Sequence, residues 1–274
     1  MNGRSKGSEG RSAENDVIKA CCAMLYESDW VRLLLGDAFH PGGLALTQRL
    51  GSLLDLQFDS RVLDVAAGNG ASAIYLAQRF GCQVVGIEYS LKNVEAANSA
   101  AVQAGVAERV SFKMGDAESL PLKDREFDAL ICECAFCTFP DKETAAGEFE
   151  RVLRPGGYLG ISDVTRAGDL PGELSSLLAW IACLGDAQPV GQYAKYLKGA
   201  GLAVESIENH DEALIEMIRG IRVKLLGAEL LVRLEKLELP GADFEEVGRF
   251  ARVASTAVEN GLLGYSLILS RKPS

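Results

Sequence analysis

Asp64, Ala66, Gly68 and Gly70 stand at alternate positions between two short apolar runs, and Glu88 closes the second run. Small residues in a turn let the backbone approach a ligand with little or no Cβ in the way. A carboxylate just ahead of that turn repels a phosphate and suits an ammonium, while an acid ending the second run can accept both hydroxyls of a ribose. Farther along, Cys132, Cys134 and Cys137 crowd into six positions. Thiolates hold soft centres such as trivalent arsenic, which takes three sulfurs and keeps its lone pair exposed. Alkylation of that lone pair would need alignment and exclusion of water rather than a base. A buried cysteine is also a small hydrophobe, and the spacing alone leaves both readings open.

These residues need a scaffold that brings them to one edge. Val62, Leu63 and Val65 read as a buried strand, Ala71 to Phe80 as a helix, and Val84, Val85 and Ile87 as a second strand. Strand, small-residue turn, helix, strand and acid form the first half of a doubly wound nucleotide-binding sheet. The alternation continues with a helix over Leu91 to Ala104, strands over Val110 to Met114 and Phe127 to Cys132, and a helix over Asp141 to Leu153. Arg154-Pro155-Gly156-Gly157 turns into a fifth strand, Tyr158 to Ser162. Beyond Asp163, helices are expected over Pro171 to Leu184, Val190 to Ala200, His210 to Glu238 and Phe244 to Glu259, with strands over Leu202 to Glu208 and Leu262 to Ser270. Two further helices, Val17 to Leu35 capped by Asp16 and Leu44 to Leu56, precede the sheet. The fold class is therefore α/β: a doubly wound, seven-stranded, mostly parallel sheet with its last strand antiparallel, N-terminal helices and a helical insertion near the C-terminus. Right-handed crossovers bring the parallel strand tips to one edge, with the ligand beside the first and fourth. Residues 132–137 then border the reacting group.

The run Asp64-Val65-Ala66-Ala67-Gly68-Asn69-Gly70 resembles the first motif of the class I S-adenosylmethionine (SAM) methyltransferases, DxGxGxG, with Ala66 in place of the first Gly. The resemblance extends to about Asp163 and includes RVLRPGGYLGISD. It implies SAM as cofactor and S-adenosylhomocysteine (SAH) as product, with Asp64, Gly68 and Gly70 at the methionine end, Glu88 on the ribose and Asp116 with Ala117 on the adenine. The implied cofactor-binding set also includes Ala66, Asn69, Tyr89, Glu118 and Cys132.

Phe127 to Cys183 resembles the arsenite methyltransferases more narrowly. Ile131-Cys132-Glu133-Cys134-Ala135 leads to Pro140-Asp141-Lys142, and Leu170-Pro171 to Cys183-Leu184-Gly185-Asp186. That resemblance implies Cys134 and Cys183 as arsenic-binding catalytic residues. The third thiolate stays open among Cys21, Cys22, Cys132 and Cys137, with Cys22, of a pair that is a candidate counterpart to an upstream family pair, included in the expected catalytic set. Glu133 departs from the family's Asn, and His40-Pro41-Gly42 lies in the loop nearest to a family Cys that is missing here. His40 could orient an acceptor, act as a base, or anchor its loop. The expected function is methylation of a thiol-bound trivalent arsenical, with glutathione or another thiol as partner. The alternative is methylation of a small organic acceptor (quinone, thiol or amine) with structural cysteines.

The 274 residues carry a net charge of −10, which disfavours a nucleic-acid partner. No apolar run approaches the length of a membrane span. Residues 1–16 are polar and lack an apolar signal segment, so they are expected to be a disordered leader. Residues 17–57 are expected to cover the cofactor, 58–165 to form the SAM-binding core, and 166–274 to supply the substrate side. Seven cysteines without a signal peptide point to the reducing cytoplasm, and two histidines make a His-rich metal site untenable. Monomer and homodimer both remain open.

Overall fold

The computed structural model describes residues 15, 17–21, 23–24, 27, 39–175, 184, 186–234, 236 and 243–274. Cys22, Cys183, Asp16 and most of the expected Val17–Leu35 and Pro171–Leu184 helices lie outside them. Residues 17–21 are helical.

Each apolar run has become a strand. The elements are α1 (Gly43–Leu53), β1 (Arg61–Val65), α2 (Ala71–Phe80), β2 (Gln83–Glu88), α3 (Leu91–Gln103), β3 (Val110–Met114), β4 (Phe127–Glu133) and α4 (Lys142–Val152). They continue with β5 (Leu153–Arg166), α5 (Val190–Gly199), β6 (Ala203–Asn209), α6 (Asp211–Arg233), α7 (Phe244–Glu259) and β7 (Leu263–Arg271). The strands form one sheet in the order β3-β2-β1-β4-β5-β7-β6. All pairings are parallel except those of β7, which runs antiparallel to β5 and β6. The strand order reverses between β1 and β4, where an open α/β sheet leaves a crevice at its strand tips.

Val62, Leu63 and Val65 of β1 are fully buried, as a central parallel strand with helices on the flanking layers requires. The edge strand β6 instead alternates exposed and half-buried residues. Helix α1 lies directly on β5: a Cβ at Gly160 would come within 2.3 Å of Leu50 Cδ1. Only glycine permits that approach, and it brings Thr47, one turn earlier on the same face, over the tip of β4.

The fifth strand is longer than Tyr158 to Ser162. Leu153 already pairs with Phe127, a register shift absorbs Arg154-Pro155-Gly156-Gly157, and ladder pairing with β7 continues to Arg166. The proline and glycines thus bulge a strand rather than precede one.

Candidate active site

A cavity opens at the tips of β1, β2 and β4. Its walls come from the turn after β1, Glu88 and Tyr89 at the end of β2, Asp116 and Ala117 after β3, and Glu133, Cys134 and Ala135 at the end of β4. Lys19, Phe39 and His40 close it from the N-terminal side.

The β1 turn is wound tightly. Ala67 N donates to Ile87 O at 3.0 Å and Gly70 N to Ala67 O at 2.9 Å. Gly70 has φ 82°, and a Cβ there would lie 2.5 Å from Phe112 Cζ, so the turn requires glycine at this position. Ala66 holds φ 60° although it bears a side chain. Gly68 N donates to Glu88 Oε2 and Ser90 N to Glu88 Oε1, each at 2.9 Å. Glu88 is thereby locked between two loops. Burial raises its carboxyl above the ordinary range, and these backbone donors moderate the rise.

Asp64 is 3 % exposed, and its Oδ2 has no hydrogen-bond partner. Burial, then Glu133, then Glu88 push its carboxyl well above 3.8. A buried carboxylate oxygen without a donor is costly, and a cationic ligand group supplies what it lacks.

Glu133 sits in a polar cluster built from four separate elements. Ser72 Oγ donates to its Oε2 at 2.6 Å, and Thr47 Oγ1 lies 3.0 and 3.2 Å from the two carboxylate oxygens. His40 Nε2 approaches Thr47 Oγ1 at 3.3 Å and Ser72 Oγ at 3.4 Å. The other ring nitrogen, Nδ1, donates to Pro41 O at 3.2 Å. Both nitrogens thus lie near groups of the protein, which hold the ring at the cavity wall.

The three crowded cysteines do not converge. Cys134 lies on the cavity wall, with φ 53° and its N donating to Ser162 O at 2.7 Å. Cys132 and Cys137 are buried and off the wall. Cys132, expected in the cofactor set, is therefore not on the cavity wall: strand alternation sends its side chain into the core and Glu133 into the cavity. Burial, with Asp163, Asp64 and Glu133 nearby, pushes the Cys132 thiol well up, which keeps it protonated. Among the described residues no group of three or more His, Cys, Asp or Glu side chains could hold a metal ion.

Of the remaining sequence-derived positions, Ala66, Gly68, Asn69, Tyr89, Asp116 and Ala117 line the cavity. Gly70 and Glu118 stand behind the wall. Glu118 Oε2 and Asp116 Oδ2 both receive Lys19 Nζ, at 2.5 and 2.7 Å, and Glu118 Oε1 accepts from Asp141 N at 2.8 Å. Sequence reasoning missed Lys19, Thr47 and Ser72. Thr47 had left a trace, because a polar residue sharing a helical face with Leu46 and Leu50 must find a partner inside. The partnerless Asp64 oxygen, the close backbone turn and the anchored acid Glu88 suit the ammonium, sulfonium and ribose of SAM.

A family model described as a methyltransferase domain matches residues 57–213. The chain is 32% identical over 240 residues to 27-O-demethylrifamycin SV methyltransferase of Amycolatopsis mediterranei, covering 83% of each chain. It is 30% identical over 263 residues to the O-methyltransferase cnsE of Penicillium expansum, covering 89% of each. The fold is shared with Haemonchus contortus phosphoethanolamine N-methyltransferase 2, solved with phosphomonomethylethanolamine and SAH. That likeness has a TM-score of 0.76 at 18% identity, and covers 91% of this chain and 57% of the other. Sheet order, cavity and relatives agree: this chain belongs to the methyltransferase domain family and is a class I SAM-dependent methyltransferase.

Proposed function

We propose that this methyltransferase transfers the methyl group to a hydroxyl of a small organic acceptor. The observation that carries the reading is the scatter of the described thiols: of Cys132, Cys134 and Cys137 only Cys134 lines the cavity, so these three do not by themselves assemble a three-thiolate arsenic site. The relatives named for O-methylation, at 30% identity or more over most of the chain, support it. When bound, SAM supplies an electrophilic methyl group on a sulfonium. Asp64 and the Ala66–Gly70 turn would hold its methionine end, Glu88 its ribose, and Asp116 with Ala117 its adenine. Cys134, Ala135, Thr138 and Phe139 would form the acceptor side.

The test is incubation with SAM and a panel of hydroxylated acceptors, following SAH and the methylated product together. Product formed in step with SAH supports the reading. The second reading, methylation of a thiol-bound arsenical with glutathione, rests on Cys134 at the wall and on the sequence match around it. Cys22 and Cys183, its other candidate ligands, lie outside the described residues. Turnover of arsenite that Cys134→Ser abolishes would establish it in place of the first. No helix among the described residues is long and apolar enough to cross a membrane. We place the enzyme in the cytoplasm, where its thiols stay reduced.

A further inference from the structure

We propose that His40 is the base of the reaction: its Nε2 takes the proton of the acceptor hydroxyl, with Thr47, Ser72 and Glu133 as the positioning groups that receive the charged ring. The inference rests on the reading that the acceptor is a hydroxyl, because a soft lone pair is alkylated without a base.

His40 is 6 % exposed and lines the same cavity as Ser72, Glu133 and Cys134. A carbonyl only accepts, so Pro41 O, 3.2 Å from Nδ1, assigns the proton of the neutral ring to Nδ1 and leaves a lone pair on Nε2. The groups nearest that lone pair are Thr47 Oγ1 at 3.3 Å and Ser72 Oγ at 3.4 Å. Each hydroxyl has a single proton, and the shorter contacts to the Glu133 carboxylate, 3.0 Å from Thr47 and 2.6 Å from Ser72, take both. Among the described residues Nε2 therefore faces oxygens and no donor, at the wall of a cavity where a ligand hydroxyl can supply one.

Proton transfer turns those neighbours into partners. The Nε2–H of a charged ring meets the two hydroxyl oxygens as acceptors. Glu133 Oε2 stands 3.6 Å from Nε2 with its side chain 4 % exposed, where attraction between opposite charges is poorly screened. In the step, the acceptor oxygen bonds to the methyl carbon as the carbon–sulfur bond breaks, its electron pair staying on sulfur. The hydroxyl proton passes to Nε2 and goes to water once the methylated product has left. A positioned base contributes about 10²–10⁴-fold to the rate.

Two measurements on the full chain test the proposal. The chain has two histidines, so NMR spectra of the imidazole nitrogens in His210→Gln report His40 alone. At about pH 8 they should show a neutral ring with its proton on Nδ1. A ring protonated at Nε2, or at both nitrogens, overturns the proposal. The second measurement is turnover of p-cresol and of p-nitrophenol, whose hydroxyl is already largely ionised at about pH 8. Wild type is compared with His40→Gln and His40→Asn, neither of which can take the proton, with thermal melts and SAM affinity as checks on folding. The variants should lose about a hundredfold or more in kcat on p-cresol and less than about fivefold on p-nitrophenol. Equal losses on the two acceptors mark a merely structural role and overturn the proposal. Where neither phenol is a substrate or neither variant folds, the spectra alone decide. Wild-type inactivity on every hydroxylated acceptor strikes the hydroxyl reading itself, and this proposal with it.

Discussion

Ser72 Oγ donates a 2.6 Å hydrogen bond to Glu133 Oε2, joining the first turn of α2 to the tip of β4 across the wall of the cavity. Thr47 of α1 reaches the same carboxylate, so two helices are fastened to one acid. Thr47→Val keeps the shape and removes the donor. Hydrogen bonds to charged groups contribute about 1.5–3 kcal/mol, and urea denaturation should show a loss of that size. Combined with Glu133→Gln, the loss should be smaller than the sum of the single variants; strict additivity would contradict the contact.

Asp64 gives the cofactor-free protein a signature in pH. Its folded-state carboxyl lies well above 3.8, raised first by burial, then by Glu133 and Glu88. The folded protein thus binds this proton more tightly than the unfolded chain. Stability must fall as pH rises from the ordinary Asp value through the raised one. Asp64→Asn stays neutral and should remove that part of the decline. The difference in unfolding free energy between wild type and variant, followed from about pH 4 to 8, should therefore change with pH. A flat difference would refute the assignment.

How much of this was legible in the sequence depends on the distance over which each feature is set. The β1 turn and Glu88 are fixed by near neighbours, and Gly70 had to be small because Phe112 fills the space beyond it. Cysteine spacing alone does not tell which thiols reach the cavity, because it ignores the pleat: Cys132 and Glu133 are adjacent but face opposite ways. Lys19 pairs with residues 97 and 99 positions away, a contact that no local pattern announces.

Lys19 ties the N-terminal helix to the loop after β3, and Glu27 makes a second tie: its carboxylate accepts from Ser90 Oγ at 2.6 Å and its carbonyl from Lys92 Nζ at 3.0 Å. Both ties reach loops that carry cavity acids. Lys19→Met should speed SAM dissociation by roughly fivefold in stopped-flow traces, and Lys19→Arg should restore part of it. Identical dissociation rates would remove Lys19 from the cofactor site.

The thiols divide by location. Cys132→Ser buries a hydroxyl in an apolar core and should cost about 1–3 kcal/mol in stability. Cys134→Ser should leave stability nearly unchanged and affect only turnover. A reversed ranking in thermal melts would contradict the burial pattern.

The central claim is methyl transfer from SAM to an organic hydroxyl. Its most direct test is mass spectrometry of products from one reaction series, in which the enzyme and SAM meet hydroxylated acceptors in parallel with arsenite plus glutathione. The account predicts an O-methylated product matched by SAH, and no methylarsenical. Methylarsenicals formed in step with SAH, with every hydroxylated acceptor unchanged, would contradict it.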